Sequence, residues 1–231
     1  MTDADSRSTV PLLIAIDGLG AVGKSTVGQI VARRLGYRFV DTGEMYRALT
    51  WLALHRAIDT GDELSLSKLA CEARVEIETS ASGEHHSVTI DGSDVTAAIH
   101  SQEVEAEVSS VSQVAGVRKC LAAQQRFIAE EGGLVMAGRD IGTVVLPRAH
   151  LKVFLVASVE ERAKRRHREK RGHAKVTYEE ILAELKRRDA VDSTRKLSPT
   201  IPARDARIVD TEGLIPQEVA DRILALAKEA S

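Results

Sequence analysis

The sequence predicts an α/β fold of three layers: a five-stranded parallel sheet between helices, with a small β-rich insert and a lid rich in arginine. Three observations carry this. Short apolar runs at 12–16, 37–40, 134–137, 151–156 and 206–209 have the length of buried strands, and helical spacing fills much of the chain between them. Val75, Ile77, Val88 and Ile90 instead alternate with polar residues, the period of a hairpin. Arg162 to Arg171 is strongly basic and follows the fourth run.

The first run leads into Gly18, Leu19, Gly20, Ala21, Val22, Gly23, Lys24, Ser25 and Thr26, which contain G-x-x-x-x-G-K-[ST]. Val27, Ile30, Val31 and Leu35 follow at helical spacing, and Gly36 closes the segment. A plain glycine turn before an ordinary helix is the alternative. The strand–turn–helix context favours a phosphate-binding P-loop, with backbone N–H groups and the helix N-terminus turned to phosphate oxygens. Lys24 then reaches the β- and γ-phosphates, and the Ser25 hydroxyl ligates Mg²⁺ carried in with the nucleotide.

The second run ends at Asp41-Thr42-Gly43, and a helix with Met45, Leu49, Leu52 and Ala53 inward follows. Thr42 and Arg47 suit a second phosphate; a simple cap with a surface arginine is the other reading. The β-rich stretch 64–100 includes turn signals at Ser80 to Gly83 and Asp91-Gly92. Residues 102–130 read as helix with a break near Gly116, and the third run ends at Gly138-Arg139-Asp140. Ser158 with Glu161, and Thr177 with Glu180, have capping-box spacing, the second helix running to about Val191. Pro216 suits the first turn of a last helix.

The basic run (Arg162, Lys164, Arg165, Arg166, Arg168, Lys170, Arg171) has three readings: a nucleic-acid surface, a solvated helix face, or a lid closing over phosphates. No aromatic lies in it, aromatics are 3% of the chain and net charge is −2, so a base-stacking platform and a global field for nucleic acid are missing. The lid is favoured. Arg188, Asp192 and Arg195 are spaced four and three apart, either as surface ion pairs or as a clamp on phosphate and ribose.

The 231 residues are read as one domain: core 10–63, 101–160 and 200–231, insert 64–100, lid 161–199. Met1 to Thr9 read as a polar tail, and no apolar run approaches a membrane span. Cys71 and Cys120 lie far apart in sequence, so a disulfide is not expected and a reducing, cytoplasmic setting fits.

With these clusters in order, the chain resembles the bacterial cytidylate kinases, within the nucleoside monophosphate kinases. The matching pieces are Ile-Asp-Gly…Gly-Lys-Ser-Thr (16–26), Asp-Thr-Gly-x-Met-Tyr-Arg (41–47), Ser-Gln-Glu-Val (101–104) and Val-Arg (117–118). Gly-Arg-Asp-Ile-Gly-Thr-Val-Val (138–145), Arg-Asp-x-x-Asp-Ser (188–193) and Asp-Ala-x-x-x-Asp-Thr (205–211) complete them. The resemblance implies ATP-dependent phosphorylation of CMP and dCMP by a monomer. It implies Thr42, Arg47, Arg139 and Arg188 on the acceptor phosphate, and Ser109, Arg118 and Asp140 on cytosine. Asp192, with Arg188, falls on the pentose, and Arg195 near the transferred phosphoryl. Two positions depart from the family's pattern. Leu19-Gly20 replaces a proline-containing pair, which implies a more mobile loop. Val191 stands where arginine is common, which implies one lid charge fewer.

Overall fold

The computed structural model describes residues 11–79, 86–169, 176–195 and 197–230. The polar tail, the Ser80 to Gly83 turn and the run's Lys170 and Arg171 lie outside the described residues.

β1 (Leu13–Gly18) enters the P-loop, and α1 (Lys24–Leu35) leaves it. β2 (Arg38–Asp41), α2 (Thr42–His55) and α3 (Glu63–Glu72) follow. β3 (Val75–Thr79), β4 (His86–Ile90) and the two-residue β5 (Ser93–Asp94) make up the insert's sheet. Then come α4 (Gln102–Val111), α5 (Ala115–Ala129), β6 (Leu134–Gly138) and β7 (Leu151–Val156). The chain ends through α6 (Val159–Glu169), α7 (Tyr178–Thr194), β8 (Arg207–Asp210) and α8 (Pro216–Glu229).

Among the described residues the core sheet has five parallel strands in the order β2-β6-β1-β7-β8. β1 is central and buried on both faces, which is why it reads as an unbroken apolar run. Ile14 and Ile16 join Val27, Val31, Ile223 and Ala227 in the core under α1 and α8. Ala15 and Met136 face the opposite core, with Leu49, Leu66 and Leu121 from α2, α3 and α5. Gly18, at φ 150°, passes so close to β7 that a Cβ would stand 2.6 Å from the Leu155 carbonyl oxygen; this opening of the P-loop has room only for glycine.

Three expectations are corrected. The helix break falls at 112–114, between α4 and α5, and Gly116 lies inside α5, where α3 crosses so closely that a Cβ would meet Ser67 Oγ at 2.0 Å. α3 precedes the hairpin in a stretch read as β-rich; the Asp62 side chain caps it by accepting from Leu64 and Ser65 N–H. Cys71 on α3 and Cys120 on α5 form a disulfide, with Cα atoms 5.1 Å apart. Separation along the chain did not reveal it, because packing α3 on α5 brings the two together.

The capping boxes differ. Thr177 and Glu180 make both reciprocal bonds. Ser158 Oγ accepts from Glu161 N–H at 3.2 Å, but the Glu161 carboxylate turns to Arg165, and Glu212 accepts from Ser158 N–H at 2.8 Å instead. α6 and α7 share a small core of Ala163, Ile181 and Leu185, against which the P-loop residue Ala21 packs.

Candidate active site

The polar ends of β1, β2 and β6 meet at the carboxyl edge of the sheet, where parallel α/β folds bind ligands. There a cavity of about 780 Å³ opens between the P-loop, α2, α4, α5, α6 and α7. Its lining includes Gly20, Ala21, Lys24 and Ser25 from the loop. It also includes Thr42, Arg47, Ser109, Arg118, Arg139, Asp140, Arg188, Asp192 and Arg195. Gly18, Leu19, Val22, Gly23 and Thr26 build the loop and helix start behind this lining.

The loop is pinned by its own lysine and by two arginines of α6. Lys24 Nζ donates to the Leu19 carbonyl at 2.8 Å. Arg162 donates to the Gly20 carbonyl at 3.1 Å, and Arg165 to the Val22 carbonyl at 3.3 Å. The proline-free loop expected to be more mobile is therefore tied at three carbonyls. Arg162 is 3% exposed and also pairs with Asp189, joining α6, α7 and the loop. Arg165 also donates to the Thr211 hydroxyl at 3.0 Å, tying α6 to the end of β8. Neither role was visible within a run of basic residues.

Burial and the nearby Arg139 press the Lys24 ammonium down to about 7, against the opposing pull of Asp41 and Asp17. The Ser25 hydroxyl donates to Asp41 Oδ2, while Asp41 Oδ1 caps α2 through Gly43 N–H at 2.9 Å. These two oxygen donors, hydroxyl and carboxylate, are of the type Mg²⁺ prefers. Among the described residues no cluster of three His, Cys, Asp or Glu side chains is placed to hold a metal. Asp41 was read with its motif, without its bond to Ser25.

In the same lining, Arg118 and Asp140 form a buried ion pair at 2.7 Å. Arg118 also donates to the Ser112 carbonyl at 3.0 Å, and its guanidinium lies 5.4 Å from the Tyr46 ring centre. Its buried Nε has no partner among the described residues. Ser109 lines the same cavity. Asp140 is held in place by Asp17: the two Asp17 oxygens accept from Ile141 and Gly142 N–H, both at 2.7 Å, fixing the π-helical turn at Ile141–Val145. Burial pushes the Asp17 carboxyl up to about 6, partly offset by those two bonds.

Thr42 Oγ donates to the Ala137 carbonyl at 2.9 Å, and Arg139 pairs with Asp192. Burial and the nearby Arg188 and Arg195 lower the Arg139 guanidinium to about 9. Arg195 caps α7 and contacts Asp192 at 3.4 Å and Thr200 at 3.3 Å. Burial and the nearby Arg118 lower the Arg195 guanidinium, against the opposing pull of Asp140 and Tyr46. Arg47 and Arg188 both reach Glu105, a residue that sequence reasoning passed over.

A P-loop at the mouth of an arginine-lined cavity in a parallel α/β sheet defines a P-loop kinase. Comparison with known proteins narrows the class. The family model described as Cytidylate kinase matches residues 14–229. A cytidylate kinase from Bacillus licheniformis is 50% identical, covering 93% of this chain and 95% of its own. One from Bacillus subtilis is 47% identical, covering 95% and 98%. The chain belongs to the cytidylate kinase family. Among solved structures, an uncharacterized protein from Eubacterium ventriosum shares the fold, with TM-score 0.52 at 10% identity over 95% of this chain and 99% of its own.

Proposed function

We propose that the protein transfers the γ-phosphoryl group of ATP to the phosphate of CMP, and of dCMP, giving CDP or dCDP and ADP. One observation carries the reading: in a chain of this family, a single cavity is lined both by P-loop residues and by the Arg118–Asp140 pair, with Arg47, Arg139 and Arg188 also in its wall.

A phosphate oxygen of the acceptor attacks the γ-phosphorus in line. The new O–P bond forms as the bond to the β,γ-bridging oxygen breaks, and ADP leaves with that electron pair. The acceptor is already anionic, so no side-chain base is required, and positioning with charge neutralisation supplies the rate. Lys24 takes its place on the β- and γ-phosphates, exchanging the Leu19 carbonyl for phosphate oxygens. Ser25 and Asp41 would hold Mg²⁺, which when bound neutralises charge between those phosphates. Thr42, Arg47, Arg139 and Arg188 hold the acceptor phosphate, Asp192 the pentose, and Arg195 closes from the lid. The lid (161–199) and insert (64–100) move about the core, and closure excludes water.

Cytosine offers an amino donor and an N3 acceptor. Asp140 accepts from the first, and Arg118 donates to the second. Uracil reverses both, and each mispaired buried group costs about 1–3 kcal/mol. The supporting feature is the buried, partnerless Arg118 Nε beside Asp140. Arg162 and Arg165 are engaged with the loop, which supports the lid over a nucleic-acid surface. Among the described residues no helix is long and apolar enough to cross a membrane. We read the enzyme as a cytoplasmic monomer.

The test is ADP release from Mg·ATP with CMP, dCMP, UMP, AMP or no acceptor. Strong stimulation by CMP and dCMP, weak by UMP and none by AMP is expected. Equal kcat/KM for CMP and UMP would overturn the base-reading assignment, and stimulation by no nucleotide would overturn the acceptor.

A further inference from the structure

The site holds an anion of its own. Glu105 lies in the first turn of α4, and its carboxylate gathers arginines from three other helices. Arg47 Nη2 of α2 donates to Glu105 Oε2 at 2.6 Å. Arg166 Nη2 of α6 and Arg188 Nη1 of α7 donate to Oε1 at 3.2 and 3.3 Å. Glu184 also approaches Arg188, at 3.5 Å, but it touches neither of the other two. Burial alone would raise the Glu105 carboxyl; the three guanidinia outweigh it and hold the group down to about 2, so it is charged at any working pH.

A carboxylate with one oxygen on Arg47 and the other on Arg166 and Arg188 mimics two oxygens of a phosphate. Without it, Arg166 and Arg188 would keep only Glu169 and Glu184, each at 3.5 Å, and Arg47 would have no carboxylate among the described residues. With it, the same N–H groups that would take the acceptor phosphate are already occupied.

We infer that Glu105 is a positioning residue that stands in for the acceptor phosphate, keeping Arg47, Arg166 and Arg188 gathered in the free enzyme and yielding Arg47 and Arg188 to the incoming monophosphate. This rests on the assignment of Arg47 and Arg188 to the acceptor phosphate made above. Binding is then an exchange of anions. Glu105 competes with the monophosphate on entry and retakes the arginines as the diphosphate leaves. Its charge therefore weakens substrate binding and speeds product release.

The experiment is calorimetric titration of CMP, inorganic phosphate and cytidine into wild type, Glu105→Asp and Glu105→Gln, with steady-state kinetics on each. Removing the charge beside an anion site tightens CMP and inorganic phosphate roughly three- to tenfold and leaves cytidine unchanged. KM for CMP and kcat fall together as product release slows. Asp, one methylene shorter, gives a smaller tightening in the same direction, so the trend is readable if one variant folds poorly. CMP affinity that is flat, or that weakens along the series Glu, Asp, Gln, overturns the inference. Arg47→Ala serves as the separate check on the assignment beneath it. If that variant binds CMP as wild type does, the acceptor-phosphate assignment fails, whatever the Glu105 series shows.

Discussion

Lys24 sits half-buried over its own loop, where its ammonium is satisfied by a single carbonyl and depressed to about 7. On the proposed reading a triphosphate relieves that shortage, and the interaction strengthens as charge moves to the bridging oxygen. Lys24→Ala is expected to lower kcat at least ~10²-fold, the scale of losing one preorganised charge stabiliser. Near-normal ADP release with CMP would remove Lys24 from the chemistry. Asp17 makes a prediction about pH. Its carboxyl is raised from 3.8 to about 6 in the folded protein. The stability it contributes is present in full below about pH 4 and is lost as pH rises through about 6, because the unfolded chain releases the proton first. Asn cannot titrate. The stability of wild type minus that of Asp17→Asn is expected to fall by up to about 3 kcal/mol between pH 4 and 7, read by urea denaturation at each pH. A difference that stays level with pH would mean that the carboxyl is not strained by burial.

Among the elements, the crossing of α3 on α5 depends on one missing side chain. A Cβ on Gly116 would meet both Oγ and Cβ of Ser67, at 2.0 and 2.4 Å. Gly116→Ala is therefore expected to cost about 1–3 kcal/mol in denaturant unfolding, as overpacking does. Adding Ser67→Gly should recover part of the loss, a coupling that a double-mutant cycle measures. Gly116 also shows where sequence reading stops. Glycine inside a helical pattern reads as a break, because its conformational cost is visible in the sequence and its tertiary neighbour is not. The strands were legible because burial on both faces leaves plain apolar runs, and the P-loop because its glycines answer to local geometry. α3 was hidden behind its Asp62 cap and a short apolar stripe, Leu66 and Leu69. Thr42, Arg47 and Arg188 stood out locally as possible phosphate contacts, but which ligand each would meet came from resemblance, since nothing local marks what an arginine reaches across the cavity. Arg162, Asp17 and Glu105 matter through partners 142, 124 and 58 or more residues away, and no local pattern reports that.

For the molecule as a whole, the disulfide between α3 and α5 closes a loop of 49 residues. In the chain-entropy account such a link contributes about 4 kcal/mol by restricting the unfolded chain. Neither cysteine lines the cavity. Reduction should therefore lower the melting temperature while CMP-dependent ADP release at moderate temperature holds, and loss of turnover on reduction would tie the link to the site. In a reducing cytoplasm the enzyme would work with the bond open. The strand order has a further consequence. β1 pairs with β6 and β7, and β2 pairs with β6 alone. β2 ends at Asp41, and β6 begins only at Leu134. During synthesis β2 waits for about 90 residues and β1 for about 115, roughly 5–25 s at ordinary elongation rates, before any sheet partner emerges. A nascent chain halted before β6 carries the whole nucleotide loop in its sequence, yet has no sheet to hold that loop open. Such a ribosome-bound fragment presents two unpaired apolar strands to chaperones, and the capacity to grip a nucleotide arrives late in translation.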